Sequence, residues 1–95
     1  MIILEQYRKE QNQNKEILKR LLKDGKIELT GEIKLTKIER RYIQKLLSST
    51  TNKETEFGLT YQKKKKDSKC TIISEDGVFI MQSYEIQFEG DPNGN

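Results

Sequence analysis

Tyr61-Gln62-Lys63-Lys64-Lys65-Lys66-Asp67-Ser68-Lys69-Cys70 is a lysine cluster set between two short alternating segments. Phe57, Leu59 and Tyr61 alternate with polar residues before it, and Cys70 and Ile72 resume the alternation after it. The stretch therefore reads as a β-hairpin with five lysines at its tip. Adjacent ammonium groups repel one another and gain nothing from packing. Such a prong makes physical sense as a site that a polyanion neutralises, or as a solvated loop that charge keeps soluble.

Downstream, Glu75-Asp76-Gly77 carries an Asp-Gly hairpin signal into a strand over Val78–Phe88. Val78, Ile80, Tyr84, Ile86 and Phe88 share one of its faces, with Phe79 and Met81 on the other, which predicts the most buried strand. Residues 90–95 have nothing to bury and are predicted to be a disordered tail.

Upstream, Ser48–Glu56 is a polar connector in which Thr51–Glu54 could nucleate one helical turn. Before it, Thr36-Lys37-Ile38-Glu39 is a capping box that starts a helix at Lys37. At 100° per residue Ile38, Tyr42, Ile43, Leu46 and Leu47 fill one half of its circumference, and Lys37, Arg40, Arg41, Gln44 and Lys45 fill the other. Four cations on one face without an acidic partner four residues on read as a contact surface for a polyanion, or else as a plain solvated face.

Ile27, Leu29, Ile33 and Leu35 share one parity, so 26–35 reads as a strand or as a tight hairpin around Thr30-Gly31. A first helix over 2–24 follows from Ile3, Leu4, Tyr7, Ile17, Leu18, Leu21 and Leu22, with a wholly polar middle from Arg8 to Glu16. The fold predicted is α+β: one domain over 1–89, with two main helices on a three- or four-stranded antiparallel sheet. Ile38, Tyr42, Leu46, Ile72, Ile80 and Ile86 are the predicted core.

The 95 residues are 33% apolar and 35% charged, so nearly every Ile and Leu is needed for that core. No histidine is present, which removes a histidine general base and the commonest metal ligand, and a lone Cys70 makes neither an intrachain disulfide nor a thiolate zinc site. The composition predicts a non-enzyme with no cofactor. The unpaired cysteine fits a reducing cytoplasm, and charges recurring from Glu5 onward leave no signal block or membrane span. Net charge is only +3, but Lys34–Lys69 holds eleven cations against four acids, and no basic residue follows Lys69. That distribution predicts a directional electrostatic surface.

Leu35–Leu47, a strand end running into a Leu-Thr-x-x-Glu helix, resembles the opening helix of winged-helix domains of the response-regulator type. The later hairpin is similar to a wing. Where that fold places two more helices, only Ser48–Glu56 stands here. In size, basicity and lack of catalytic residues the chain is similar to small winged-helix-like accessory proteins of conjugative plasmids and phages. The resemblance implies a double-stranded DNA binder working in a larger nucleoprotein complex, at a transfer origin or in transcriptional regulation.

On that reading the tip lysines Lys63, Lys64, Lys65, Lys66 and Lys69 meet a groove, and Lys37 and Lys45 anchor phosphates. Arg40 or Arg41, beside Gln44, is placed for base edges. Tyr61 either contacts a phosphate or packs across strands. RNA stays an alternative through Phe57, Tyr61 and Tyr84. A homodimer is expected from the long first helix and the thin core. The competing reading is a phage- or plasmid-encoded inhibitor or adaptor that docks on a host nucleoprotein, either through the acidic C-terminal third, with Glu75, Asp76, Glu85 and Glu89, or through the polar middle of the first helix.

Overall fold

A computed structural model describes residues 2–48, 54–55 and 58–89, with the side chains of 2–8 and 11 excepted. The expected tail at 90–95, Phe57 and most of the Ser48–Glu56 connector lie outside the described residues, as do the side chains of Ile3, Leu4 and Tyr7. Helix α1 (Ile2–Leu21) leads to strands β1 (Lys26–Leu29) and β2 (Gly31–Lys34), helix α2 (Lys37–Ser48), and the long strands β3 (Thr60–Ser74) and β4 (Gly77–Glu89). The α+β class, with two helices and a four-stranded sheet, is as expected, and the strand order is β1-β4-β3-β2. The sheet is mixed rather than antiparallel, because β2 runs parallel to β3.

The lysine run is not a tip. Lys63, Lys64 and Lys65 sit in mid-strand, opposite Ile86, Glu85 and Tyr84 of β4, and the hairpin closes twelve residues after Lys63, at Glu75-Asp76. Two effects overcome the repulsion that suggested a loop: the backbone ladder on both sides of the run, and partners for individual ammonium groups described below. The Asp-Gly signal marks the true turn, with Gly77 at φ 144°. Irregularity at the lysine run is confined to a bulge, where four steps from Lys65 to Lys69 match two steps from Tyr84 to Gln82. The Gln82 side-chain amide donates to Ser68 O at 2.8 Å and to Lys66 O, which satisfies the carbonyls the bulge frees.

At the bulge the buried face changes parity. Tyr61, Ile86 and Phe88 are buried on one side of it, and Cys70 and Ile72 on the other, where Phe79 and Met81 pack against the core. Val78 and Ile80, expected on the core face, are 64% and 72% exposed. Simple alternation cannot foresee this switch, because it assumes an uninterrupted pleat.

β1 and β2 do not form a hairpin with each other. β1 pairs antiparallel with β4 at one edge of the sheet, and β2 pairs with β3 at the other, with only Thr30 between them. The chain thus crosses the curled sheet from edge to edge, and Gly31, at φ 64°, makes the crossing in a conformation open to glycine. Two short strands paired only with each other would gain few hydrogen bonds, whereas each half here extends a longer ladder. Ile27, Leu29 and Leu35 are buried, as their shared parity implied.

α2 occupies the predicted residues, and its capping box is formed in both directions: Glu39 N–H donates to Thr36 Oγ1 at 3.2 Å and Thr36 N–H donates to Glu39 Oε1 at 2.8 Å. α1 ends at Leu21, three residues early, before Asp24 and Gly25 in the left-handed region. Its polar middle is not all solvated, since Asn14 is buried. Tyr42, Ile43 and Leu46 of α2 join Ile17 and Leu18 of α1 and the inner face of the sheet in one core.

Candidate nucleic-acid interface

α2 is held at both ends by the β3–β4 hairpin. At its N-terminus, where four backbone N–H groups lack helical partners, Lys37 N–H donates to the Glu75 carboxylate at 2.7 Å. At its C-terminus, the Lys63 ammonium donates to Leu47 O at 2.6 Å and the Tyr61 hydroxyl donates to Leu46 O at 3.0 Å. An acid sits at the positive end of the helix dipole and a cation at the negative end. Tyr61 also packs on Phe88, with ring centroids 5.4 Å apart, so its role is structural.

Arg40 closes the same clamp. Expected on the solvent face, it is buried, donating to Asp76 at 2.6 Å and to Gln44 at 3.2 Å, with its guanidinium 4.1 Å from the centre of the Phe79 ring. Arg40 and Ile38 have in effect exchanged roles, since Ile38 is 44% exposed. The acidic hairpin turn draws the helix round towards Arg40. The hydrogen bond from Arg40 holds the Asp76 carboxyl below its ordinary value, against the opposing effect of desolvation. Buried Glu39 adds an ion pair with Arg20 to its capping role, which ties α1 to α2.

The ten residues expected to contact DNA therefore separate into two kinds. Arg40 and Lys63 serve the fold, and Lys66 lies 3.5 Å from Glu85, which Lys26 also approaches at 3.8 Å. Glu28, followed by Glu85, keeps the Lys26 ammonium protonated to higher pH than usual. Arg41, Gln44 and Lys45 are exposed, and Lys37 is half-buried, on the arc of α2 opposite its buried residues. Lys64, Lys65 and Lys69 are exposed around the bulge. Strand alternation puts Lys64 in a row with Glu85 and Glu28, on the sheet face turned away from Tyr61, Lys63 and α2. Lys65, opposite the partly buried Tyr84, keeps the parity of Tyr61 and Lys63, so of the exposed bulge lysines it is Lys64 that alternation places away from the α2 side.

Between α1 and α2 runs an open groove of about 680 Å³, bordered by Lys9, Gln13, Asn14, Ile38, Arg41 and Lys45. Lys9 was not anticipated as a site residue. The only hint was its place in the polar middle of α1, where helical periodicity alone gives no reason to select it. Groove and helix face together offer four cations, Lys9, Lys37, Arg41 and Lys45, beside one acid, Glu10, around a partly apolar floor. Among the described residues no cluster of metal-ligating side chains occurs, and no helix is long and apolar enough to cross a membrane. Comparison of the chain with protein-family models, with curated proteins and with solved structures finds no match.

Proposed function

We propose that this protein is a non-enzymatic double-stranded DNA-binding protein, an accessory factor that contacts the duplex through α2 and the groove beside it. The observation that carries the reading is the exposed arc of α2: Lys37, Arg41 and Lys45 follow one another at four-residue spacing, with Gln44 alongside and the rest of the helix anchored below. A helix held at both ends is a rigid element that fits a major groove, with Lys37, Lys45 and Lys9 towards phosphates and Arg41 and Gln44 towards base edges. Arg40 leaves the set of base-reading candidates because Asp76 and Phe79 hold it. Lys64, and Lys69 beside buried Cys70, lie on the outer side of the hairpin and contribute long-range attraction.

What this reading keeps of the winged-helix resemblance is the strand entering a capped helix and the hairpin that follows. The wing role does not pass to the hairpin turn, whose acids face α2. Of the two surfaces of the competing docking reading, the acidic one has Glu75, Asp76, Glu85 and Glu89 each partnered within the chain, whereas the polar middle of α1 borders the same groove as the basic arc of α2.

With Lys9, Lys37, Arg41 and Lys45 on the duplex, about four phosphates are neutralised and log K should fall with log salt at a slope of about −3 to −4. Engagement of all the expected cations at once would double that. A mobility-shift titration on random duplex at several salt concentrations measures the slope. Arg41→Ala with Lys45→Ala should flatten it by about 2, and the double alanine variant at Lys64 and Lys69 by less than about 1. A slope indifferent to the α2 variant refutes the assignment.

A further inference from the structure

Among the described residues, no strand pairs with the outer edge of β4 over Gly77–Gln82. β3 covers its other side throughout, and β1 pairs with it only from Tyr84 to Gln87. Such edges are normally blunted by a lysine, a proline or an inward charge. This one carries none: Gly77-Val78-Phe79-Ile80-Met81-Gln82 has no charged residue and no proline, in a chain that is 35% charged. Its two exposed large apolar side chains, Val78 and Ile80, lie on it at 64% and 72% exposure.

We infer that this edge pairs with the same edge of a second copy of the chain, antiparallel, about a two-fold axis at Phe79. In the β3–β4 ladder Ser74 and Gly77 are the closing pair of the two-residue turn. Counting from that pair, backbone groups alternate between facing β3 and facing away, which turns the N–H and C=O of Val78 and Ile80 to the outer edge. A two-fold axis at Phe79 sets Val78 opposite the partner copy's Ile80 and Ile80 opposite its Val78. About four interchain hydrogen bonds result, with the exposed apolar side chains together on the outer face. No like charges meet, because Asp76 falls opposite Gln82.

The length of the edge argues for a copy rather than a longer extended segment. Beyond Ser83 the edge is occupied by Leu29 of β1. In this register the second copy's chain turns away at Glu75-Asp76 just as it reaches that point. The inference is independent of DNA binding, and its tests contain no DNA.

A patch this small supports a dissociation constant of about 10–100 µM. Sedimentation equilibrium across that range should show the mass rising from 11.2 kDa towards twice that value. Ile80→Lys should weaken association by at least about tenfold. Val78→Thr with Ile80→Thr, which keeps β-branching at an exposed strand position, should weaken it less. Amide hydrogen exchange separates edge pairing from apolar side chains merely meeting face to face. The Val78 and Ile80 amides should gain protection as concentration rises, while those of Phe79 and Met81 are protected at every concentration. A monomer throughout, a dimer insensitive to Ile80→Lys, or Val78 and Ile80 amides whose exchange does not change with concentration would each overturn the inference.

Discussion

Lys63 and Lys64 are neighbours in sequence, yet the structure assigns them different work, and replacing each by Met separates the two. The Lys63 ammonium donates to Leu47 O at 2.6 Å, at the C-terminal end of α2. A hydrogen bond involving a charged group contributes about 1.5–3 kcal/mol when buried. Lys63 is only half-buried and the freed carbonyl can turn to water, so the lower end applies. Attraction to the helix dipole adds about 0.3–1 kcal/mol, and relief of repulsion from Lys64 returns a few tenths. Methionine retains the packing of the aliphatic stem. The net expectation for Lys63→Met is a loss of about 1–2 kcal/mol, which for a domain of this size lowers Tm by roughly 4–15 °C. Lys64→Met, at an exposed position, should stay within about 0.5 kcal/mol. Circular dichroism melts and urea titrations measure both, and an unchanged m-value confirms that the native fold is retained. A Lys63→Met protein that melts like the parent but binds polyanions with a flatter salt dependence would show that this ammonium faces solvent, and the clamp on α2 would fall with it.

Leu46 is 3% exposed in the middle of the core, so Leu46→Ala should cost about 2–5 kcal/mol, read as a shifted urea midpoint. Asp76→Asn tests the other end of the clamp by its pH dependence. The carboxyl is held below its ordinary value of 3.8, so the stabilisation it gives is fully present above that pH and is lost as pH falls through the lower folded-state value. The stability gap between parent and variant should accordingly be flat near neutrality and narrow below about pH 4. A gap that persists unchanged to pH 2 would mean that the charge of Asp76 is not what holds Arg40.

Local signals were read well where one residue's chemistry decides the conformation. Thr36 and Glu39 placed the start of α2, and Asp76-Gly77 placed the turn between β3 and β4. Arg40 and Ile38 exchanged sides because a helical wheel sees the helix alone, while an acidic turn thirty-six residues on determines which edge of the arc is buried. The lysine run was misplaced for a related reason: repulsion is visible in the sequence, whereas Glu85, Leu47 O and the β4 ladder that offset it arrive from elsewhere. Val78 and Ile80 fell on the wrong face because a bulge several residues away on the partner strand resets the parity. Of the site, the basic arc of α2 was legible, and Lys9 depended on how α1 crosses α2.

The two grips of the hairpin on α2 also imply a constraint of length. From Lys37 to Leu47 the helix rises about 15 Å, whereas Lys63 to Glu75 along a straight strand would span about 40 Å. Even with the reach of both side chains, a flat ribbon could hold one end of the helix and not the other. The hairpin must therefore bow like a drawn spring clip, and the surplus residues between Lys65 and Lys69 are where it bends. The span of the bow is matched to a helix of this length, so one further turn in α2 would need a shallower bend, and loss of the bulge would leave the hairpin overshooting the helix it grips.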